Sequence, residues 1–201
     1  MSTAAILAGG KAHRFGGRPK ALFPLGDHRI IDRLLVVLRS VVDHVFIVGG
    51  EPGRFGTLGV PVREDVLPGT GPLGGIYTAL AASTTPRTLI VAADMPFLHA
   101  QFLQHLMRVG RDFDIAIPRT ADGQQPLCAS YGEECAGNIE RQIGARTLKV
   151  TDILSGLRVG EIGPNEIAPF DPEGTLFFNI NTPADYARGL ALAAYRRDSS
   201  L

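Results

Sequence analysis

Short, unbroken apolar runs alternate along this chain with segments of helical period, and that alternation limits its fold more than any other feature. Residues 3–8, 45–48, 60–63 and 88–93 read as strands, and residues 114–118, 127–131 and 176–180 as later ones. Between them, residues 31–42 carry Leu34, Leu35, Leu38 and Val42 at helical spacing, a helix is expected near residues 75–82, and Ala100–Val109 places Phe102, Leu103 and Leu106 on one face. Thr182-Pro183-Ala184-Asp185 reads as the start of a last helix: threonine caps, proline takes the first helical position, and the aspartate closes a capping box. A strand apolar at every position is buried on both faces, so the sheet must be mostly parallel and covered by helices on each side. The expected fold is a three-layer α/β/α sandwich with a mostly parallel sheet, one domain over residues 1–195, and a loose tail over 196–201.

Composition narrows the function classes. The chain has 201 residues, 45% apolar and 20% charged, which suits one ordinary globular domain. Twenty basic and twenty acidic side chains cancel, which argues against a partner bound through clustered cationic charge, a nucleic acid or a membrane surface. Cys128 and Cys135 are too few for a disulfide framework and lack companion ligands at zinc spacing, so they read as partly buried thiols of a reducing compartment. The charge-free run 66–86 has membrane-spanning length, but Pro68, Gly69, Gly71, Pro72, Gly74 and Gly75 make it a loop leading into a short helix. No secretory signal opens the chain, and a soluble cytoplasmic protein is expected. His13, His28, His44, His99 and His105 form no ligand pair at helical spacing and read as incidental, with His13 set apart by its place in the first loop.

Glycine is the compositional anomaly, at 24 residues, and it concentrates where a ligand belongs. After the first strand comes Leu7-Ala8-Gly9-Gly10, then Lys11, Arg14, Arg18 and Lys20, four cations with no acid before Asp27. In an open parallel sheet, ligands bind beyond the carboxyl ends of strands. Gly9 and Gly10 let main-chain N–H groups approach a base or phosphate, and the local positive charge suits a polyanion such as a triphosphate. A solvated basic loop is the plain alternative. The spacing matches neither the P-loop nor the dinucleotide fingerprint.

The segment resembles the signature of the molybdenum cofactor guanylyltransferases, within the Rossmann-like nucleotidyltransferases, at Leu7, Ala8, Gly9, Gly10, Arg14, Phe15, Gly16, Lys20 and Ala21. Pro19 departs from it, standing where these enzymes usually carry aspartate, and Pro-Lys is common in cytidylyl- and other nucleotidyltransferases, so this position leaves the base open. The resemblance continues through Asp65 and the loop Gly71-Pro72-Leu73-Gly74-Gly75, through Ala93-Asp94-Met95-Pro96, Gln125-Pro126-Leu127 and Phe178-Asn179-Ile180-Asn181-Thr182-Pro183. Five weak motifs in order over most of the chain form a strong pattern.

Asp94, just past the strand 88–93, is the expected Mg2+ ligand, because magnesium takes one or two carboxylates and completes its shell with water and phosphate oxygens; a turn aspartate is the alternative. Asp65 offers two acceptor oxygens to the paired donors of guanine, or is a surface acid beside Arg63. Gly71 and Gly74 can lie close against a ligand. Asn179 and Asn181, two apart, are expected on one face, able to hold water, phosphate or metal without adding charge; turn chemistry before the helix is the alternative for Asn181. Gln124 and Gln125 are placed within reach of a pterin.

What the resemblance implies is GMP transfer from GTP to the terminal phosphate of molybdenum-molybdopterin, with pyrophosphate released. Arg14, Lys20 and Asp94 are the expected catalytic residues. It implies nucleotide contacts from Leu7, Ala8, Gly9, Gly10, Lys20, Asp65, Gly71, Gly74, Asp94, Asn179 and Asn181, transient contact with cofactor-insertion proteins, and a monomer or weak oligomer. The alternatives are CTP with the same cofactor, a sugar-phosphate acceptor, and a non-catalytic nucleotide-binding module, against which the presence of both Lys20 and Asp94 argues.

Overall fold

A computed structural model of the protein describes residues 1–9, 19–50 and 52–198. Strand β1 (Thr3–Leu7) enters the centre of the sheet; after the first loop, a small antiparallel hairpin, β2 (Pro24–Leu25) and β3 (His28–Arg29), leads into helix α1 (Ile30–Arg39). Then come β4 (His44–Val48), α2 (Pro52–Phe55), β5 (Val62–Arg63), α3 (Pro72–Ala82), β6 (Arg87–Ala92) and α4 (Ala100–Val109). The second half holds β7 (Ile115–Thr120), β8 (Gly123–Gln124), β9 (Cys128–Gly132), α5 (Cys135–Gly144), β10 (Val159–Ile162), α6 (Pro164–Ile167) and α7 (Pro183–Asp198).

The main sheet runs β10-β7-β9-β6-β1-β4-β5, with β8 paired to β7. Strands β6, β1, β4 and β5 are parallel, β9 is antiparallel to both its neighbours, and β10 is parallel to β7. The mostly parallel three-layer sandwich expected from the apolar runs is therefore present. Alternate residues of each strand serve opposite faces. Ala4 and Ile6 of β1 pack with Ile31, Leu34 and Leu38 of α1 and Phe102, Leu103 and Leu106 of α4. Ala5 packs with Leu73, Ile76 and Ala79 of α3 and Cys135 and Ile139 of α5.

A third, smaller cluster matters most for the site. Leu25, Ile30, Phe97, Ile180 and Ala193 are buried together, with Phe23, Phe178 and Tyr186 packed against them. It ties the segment after Lys20, the loop after Asp94, the stretch before α7 and α7 itself into one unit.

Several expectations from the sequence need correction. Residues 176–180 form no strand; their apolar side chains fill the first and third clusters instead. Helix α3 begins at Pro72, ahead of the expected 75, and only Val62–Arg63 of the expected strand 60–63 pairs with β4. Helix α7 runs to Asp198, three residues into the segment expected as a tail. Cys128 and Cys135 are free and fully buried rather than partly so. His99 and His105 are not incidental: His99 caps α4 and meets the Phe170 carbonyl, and His105 contacts Glu166 at 2.5 Å. No helix among the described residues is long and apolar enough to cross a membrane.

Candidate active site at the carboxyl edge of the sheet

The register of four parallel strands builds the site. Leu7 pairs with Val48 and with Ala92, and Val48 pairs with Arg63, so β6, β1, β4 and β5 end in one row. Gly9, Asp65 and Asp94 each stand two residues beyond that row. Backbone bonds continue it outward: Ala8 N–H donates to the Val48 carbonyl (2.9 Å), Gly49 N–H to that of Arg63 (2.9 Å), and Ala93 N–H to that of Leu7 (3.0 Å). The chain leaves β1 for β4 on one side while β6 lies on the other, which makes the β1–β6 crevice the switch point where ligands of such sheets sit. At about 4.8 Å per strand, Asp94 and Asp65 are separated by three spacings, roughly 14 Å along the edge.

At the β6 end, Lys20 Nζ lies 2.6 Å from Asp94 Oδ2 and 2.8 Å from Asn181 Oδ1. Lys20 opens a short 3-10 turn after Pro19, whose φ of −61° suits that turn, and buried Ala21 anchors the turn in the core. Asp94 is held through its main chain, because its carbonyl accepts the Ile180 N–H at 3.0 Å. The Asp94 side chain is only 17% exposed, and its second oxygen, Oδ1, is buried with no hydrogen-bond partner among the described residues. A buried carboxylate oxygen without a donor is unfavourable, and a hard cation is one group that would satisfy it. No cluster of three or more His, Cys, Asp or Glu that could hold an ion occurs among the described residues. The fit is therefore to a cation that brings most of its oxygen ligands with it as water and phosphate.

At the β5 end, Asp65 Oδ1 accepts the Leu67 N–H (3.0 Å) and the Thr78 hydroxyl (3.1 Å). This departs from the expected paired acceptor for guanine. One oxygen is committed to holding the loop against α3. Gly74 is part of this arrangement: a Cβ there would fall 2.1 Å from Thr70 Oγ1 and 2.7 Å from the Leu67 carbonyl oxygen. Gly71 occupies the N-cap of α3, and no side chain caps that helix end among the described residues. Gly75 packs on Leu7, which links α3 to the end of β1.

The remaining candidates divide. Ala8 and Gly9 lie at the row of strand ends, and Gly9 is pressed against Gly49, whose φ is +78° and whose added Cβ would come 2.9 Å from Gly9 Cα. Gly49 directly follows the strand expected over residues 45–48 and belongs to none of the motifs. Asn181 joins the lysine–aspartate pair, but Asn179 does not: its side-chain amide donates to the Phe177 carbonyl at 3.1 Å. The two asparagine side chains therefore make different contacts. Gln125 donates to Thr120 Oγ1 and the Gly123 carbonyl, and Gln124 to Glu161, all within or beside the β7–β8 hairpin. Gly10 and Arg14 lie outside the described residues.

Sequence reasoning also missed how Asn181 is held. Asp185 Oδ2 accepts the N–H groups of both Asn181 (2.9 Å) and Thr182 (2.8 Å), and Asp185 N–H returns to Thr182 Oγ1 at 3.1 Å. The capping box is as expected, with one additional donor. The Asn181 N–H, then the contacts with Thr182, hold the Asp185 carboxyl below the usual carboxylate range, and the nearby Lys20 charge adds to this.

A doubly wound sheet with a glycine at the end of its first strand and a lysine–carboxylate pair at its switch point defines a nucleotide-handling α/β protein. Residues 4–157 match the family described as the MobA-like NTP transferase domain. A protein of Pelotomaculum thermopropionicum named "Probable molybdenum cofactor guanylyltransferase" is 35% identical over 98% of this chain and 96% of its own length. The molybdenum cofactor guanylyltransferase of Desulfosudis oleivorans is 31% identical over 94% of each chain. The crystal structure of molybdopterin-guanine dinucleotide biosynthesis protein A from Archaeoglobus fulgidus superposes with a TM-score of 0.82 at 29% identity, covering 96% of this chain and 99% of that one. The chain belongs to the MobA-like NTP transferase family and is a nucleotidyltransferase.

Proposed function

We propose that this enzyme transfers GMP from GTP to the terminal phosphate of molybdenum-molybdopterin, forming the guanine dinucleotide cofactor and releasing pyrophosphate. The observation that carries the reading is the Asp94–Lys20 pair, with a carboxylate oxygen unpartnered among the described residues, at the switch point of a sheet whose family is that of MobA-like NTP transferases. An oxygen of the acceptor phosphate attacks the α-phosphorus, the bond from that phosphorus to the bridging oxygen breaks, and pyrophosphate leaves with the electron pair. The acceptor oxygen is already anionic at neutral pH, so the step needs positioning and charge neutralisation rather than a strong base. Mg2+ held by Asp94 would supply Lewis-acid polarisation of the phosphate oxygens. Lys20, held beside Asp94, offsets the charge that builds on the departing pyrophosphate. Arg14 is assigned to the same task.

Leu7, Ala8 and Gly9 at the end of β1, together with Gly10, are assigned to nucleotide contact, and Gly71 and Gly74 to keeping the α3 loop close to the nucleotide. Asp65 Oδ2 accepts a guanine N–H donor. Adenine offers an acceptor at N1 and lacks the 2-amino group, so it leaves Asp65 facing a lone pair. That mismatch is worth about 1–3 kcal/mol of discrimination. Asn179 acts through the backbone of its own segment. A cytoplasmic setting, transient contact with cofactor-insertion proteins and a monomeric or weakly associating state complete the reading.

Pro19 keeps CTP as a second reading, because Pro19-Lys20 resembles a pattern common in cytidylyl- and other nucleotidyltransferases. Pyrophosphate release with GTP, CTP and ATP, at fixed molybdenum-molybdopterin and Mg2+, separates the two. GTP is expected to give the highest kcat/KM. Equal or better use of CTP overturns the guanylyl assignment, and turnover with none of the three overturns the enzyme reading.

A further inference from the structure

The capping box at the start of α7 does more than a capping box requires. In the ordinary motif the carboxylate at the third helical position accepts the N–H of the capping residue. Asp185 accepts that N–H, from Thr182, and also the N–H of Asn181, one residue earlier. Asn181 is the residue whose side-chain oxygen holds Lys20 Nζ at 2.8 Å. On its other side the same stretch is pinned by Ile180, whose side chain is buried in the third cluster and whose N–H meets the Asp94 carbonyl. Asn181 itself is exposed.

We propose that Asp185 is a positioning residue for Lys20: by clamping the Asn181 main chain it sets the Asn181 side-chain oxygen beneath the ammonium group and keeps Lys20 poised between Asp94 and the nucleotide phosphates. Asp185 touches neither substrate nor reacting atoms. Its influence runs through Asn181 to Lys20, and it rests on the reading of Lys20 as a triphosphate contact.

A residue that only stabilises the helix end and one that positions the lysine make different predictions. Thr182→Ala removes the reciprocal half of the capping box and leaves the Asn181 clamp in place, so it serves as the structural control. Binding of GTP with Mg2+, without acceptor, is measured by calorimetry for the wild type, Asp185→Ala, Asn181→Ala, Thr182→Ala, Lys20→Ala and the Asp185→Ala/Lys20→Ala double variant. Circular dichroism at the assay temperature confirms that each is folded. Asp185→Ala and Asn181→Ala are expected to weaken GTP binding by similar factors, roughly three- to tenfold, while Thr182→Ala lowers the melting temperature and leaves affinity near wild type. In the Lys20→Ala background, Asp185→Ala is expected to have no further effect on affinity. If Thr182→Ala weakens binding as much as Asp185→Ala, or if the Asp185→Ala loss persists undiminished without Lys20, Asp185 is only a cap and the proposal fails while the nucleotide site stands. If Lys20→Ala itself binds GTP like the wild type, the reading of Lys20 falls and the proposal falls with it.

Discussion

Replacing Gly49 by alanine tests the close approach of Gly49 to Gly9 at the ends of β4 and β1. Gly49 has a φ of +78°, a left-handed conformation that a residue with a Cβ adopts at a cost of about 1–2 kcal/mol. The new methyl would also lie 2.9 Å from Gly9 Cα and 3.0 Å from Gly9 N. Those are backbone atoms of the neighbouring strand end, so no rotamer change relieves the contact. Overpacking of this kind costs about 1–3 kcal/mol. The two together predict a loss of about 2–5 kcal/mol, and for a chain of this length each kcal/mol lowers the melting temperature by about 2–4 °C. Gly49→Ala should therefore melt roughly 4–20 °C below the wild type. Gly137→Ala is the internal control: it lies inside α5 with open space around the added carbon, where removing a helical glycine should stabilise by about 0.5–1 kcal/mol. Thermal melts in one buffer, followed by circular dichroism, make the comparison. The same Gly49 variant should bind GTP more weakly, because the contact displaces Gly9, a proposed nucleotide contact. A melting temperature within about 2 °C of the wild type would refute the packing argument.

Asp94→Asn keeps the shape of the side chain and removes its charge. It should lower kcat/KM for pyrophosphate release roughly a hundredfold or more, about 2.7 kcal/mol of barrier, while Mn2+ binding in the presence of GTP, read by electron paramagnetic resonance, weakens in parallel. Turnover within about threefold of wild type would rule out Asp94 as the metal anchor. Lys20→Arg should retain more GTP affinity than Lys20→Ala, since charge at this position matters more than shape, and equal affinity in the two would count against the phosphate role. Burial pushes both thiols up, Cys135 to about 12, with Glu134 adding to the effect there. At pH 8 neither is a thiolate in the folded protein, so a disulfide reagent should titrate no fast-reacting thiol until denaturant unfolds the chain and both react.

The part of the fold that was legible in the sequence is the part governed by local rules. Strands β1, β4 and β6 are apolar at nearly every position because both faces are covered, and α4 shows its buried face at helical spacing. Thr182 and Asp185 satisfy each other as the sequence pattern requires. Strand β10 was missed because it reads Val-Gly-Glu-Ile: as an edge strand it leaves Glu161 outside, and Gly160 is needed where a Cβ would meet the Phe113 ring at 2.5 Å. The stretch 176–180 misled for the opposite reason, since its apolar residues serve two core clusters without pairing into the sheet. In the site, Lys20, Asp94 and Asn181 were each identified, but their mutual contact joins residues 74 and 161 positions apart and has no local signature. Asp65 shows the limit of residue-type reasoning: its chemistry allowed two donors side by side, and the loop used one of its oxygens for itself.

The arrangement along the sheet edge separates two jobs that a nucleotidyltransferase must do at once. Selection of a base depends on a few hydrogen bonds of modest energy, whereas transfer of a nucleotidyl group depends on concentrated charge. Here the charged group, Lys20 with Asp94, stands past β6 and is fixed by the third core cluster and α7. The base-facing candidate, Asp65, stands past β5 and is fixed by α3 through Thr78. Two intervening strands of close-packed backbone separate these ends and give neither a direct contact with the other. Asp65 and the lysine–carboxylate pair are therefore held by different elements, and on the proposed reading a change in the α3 loop is expected to shift base preference while leaving the Lys20–Asp94 contact in place.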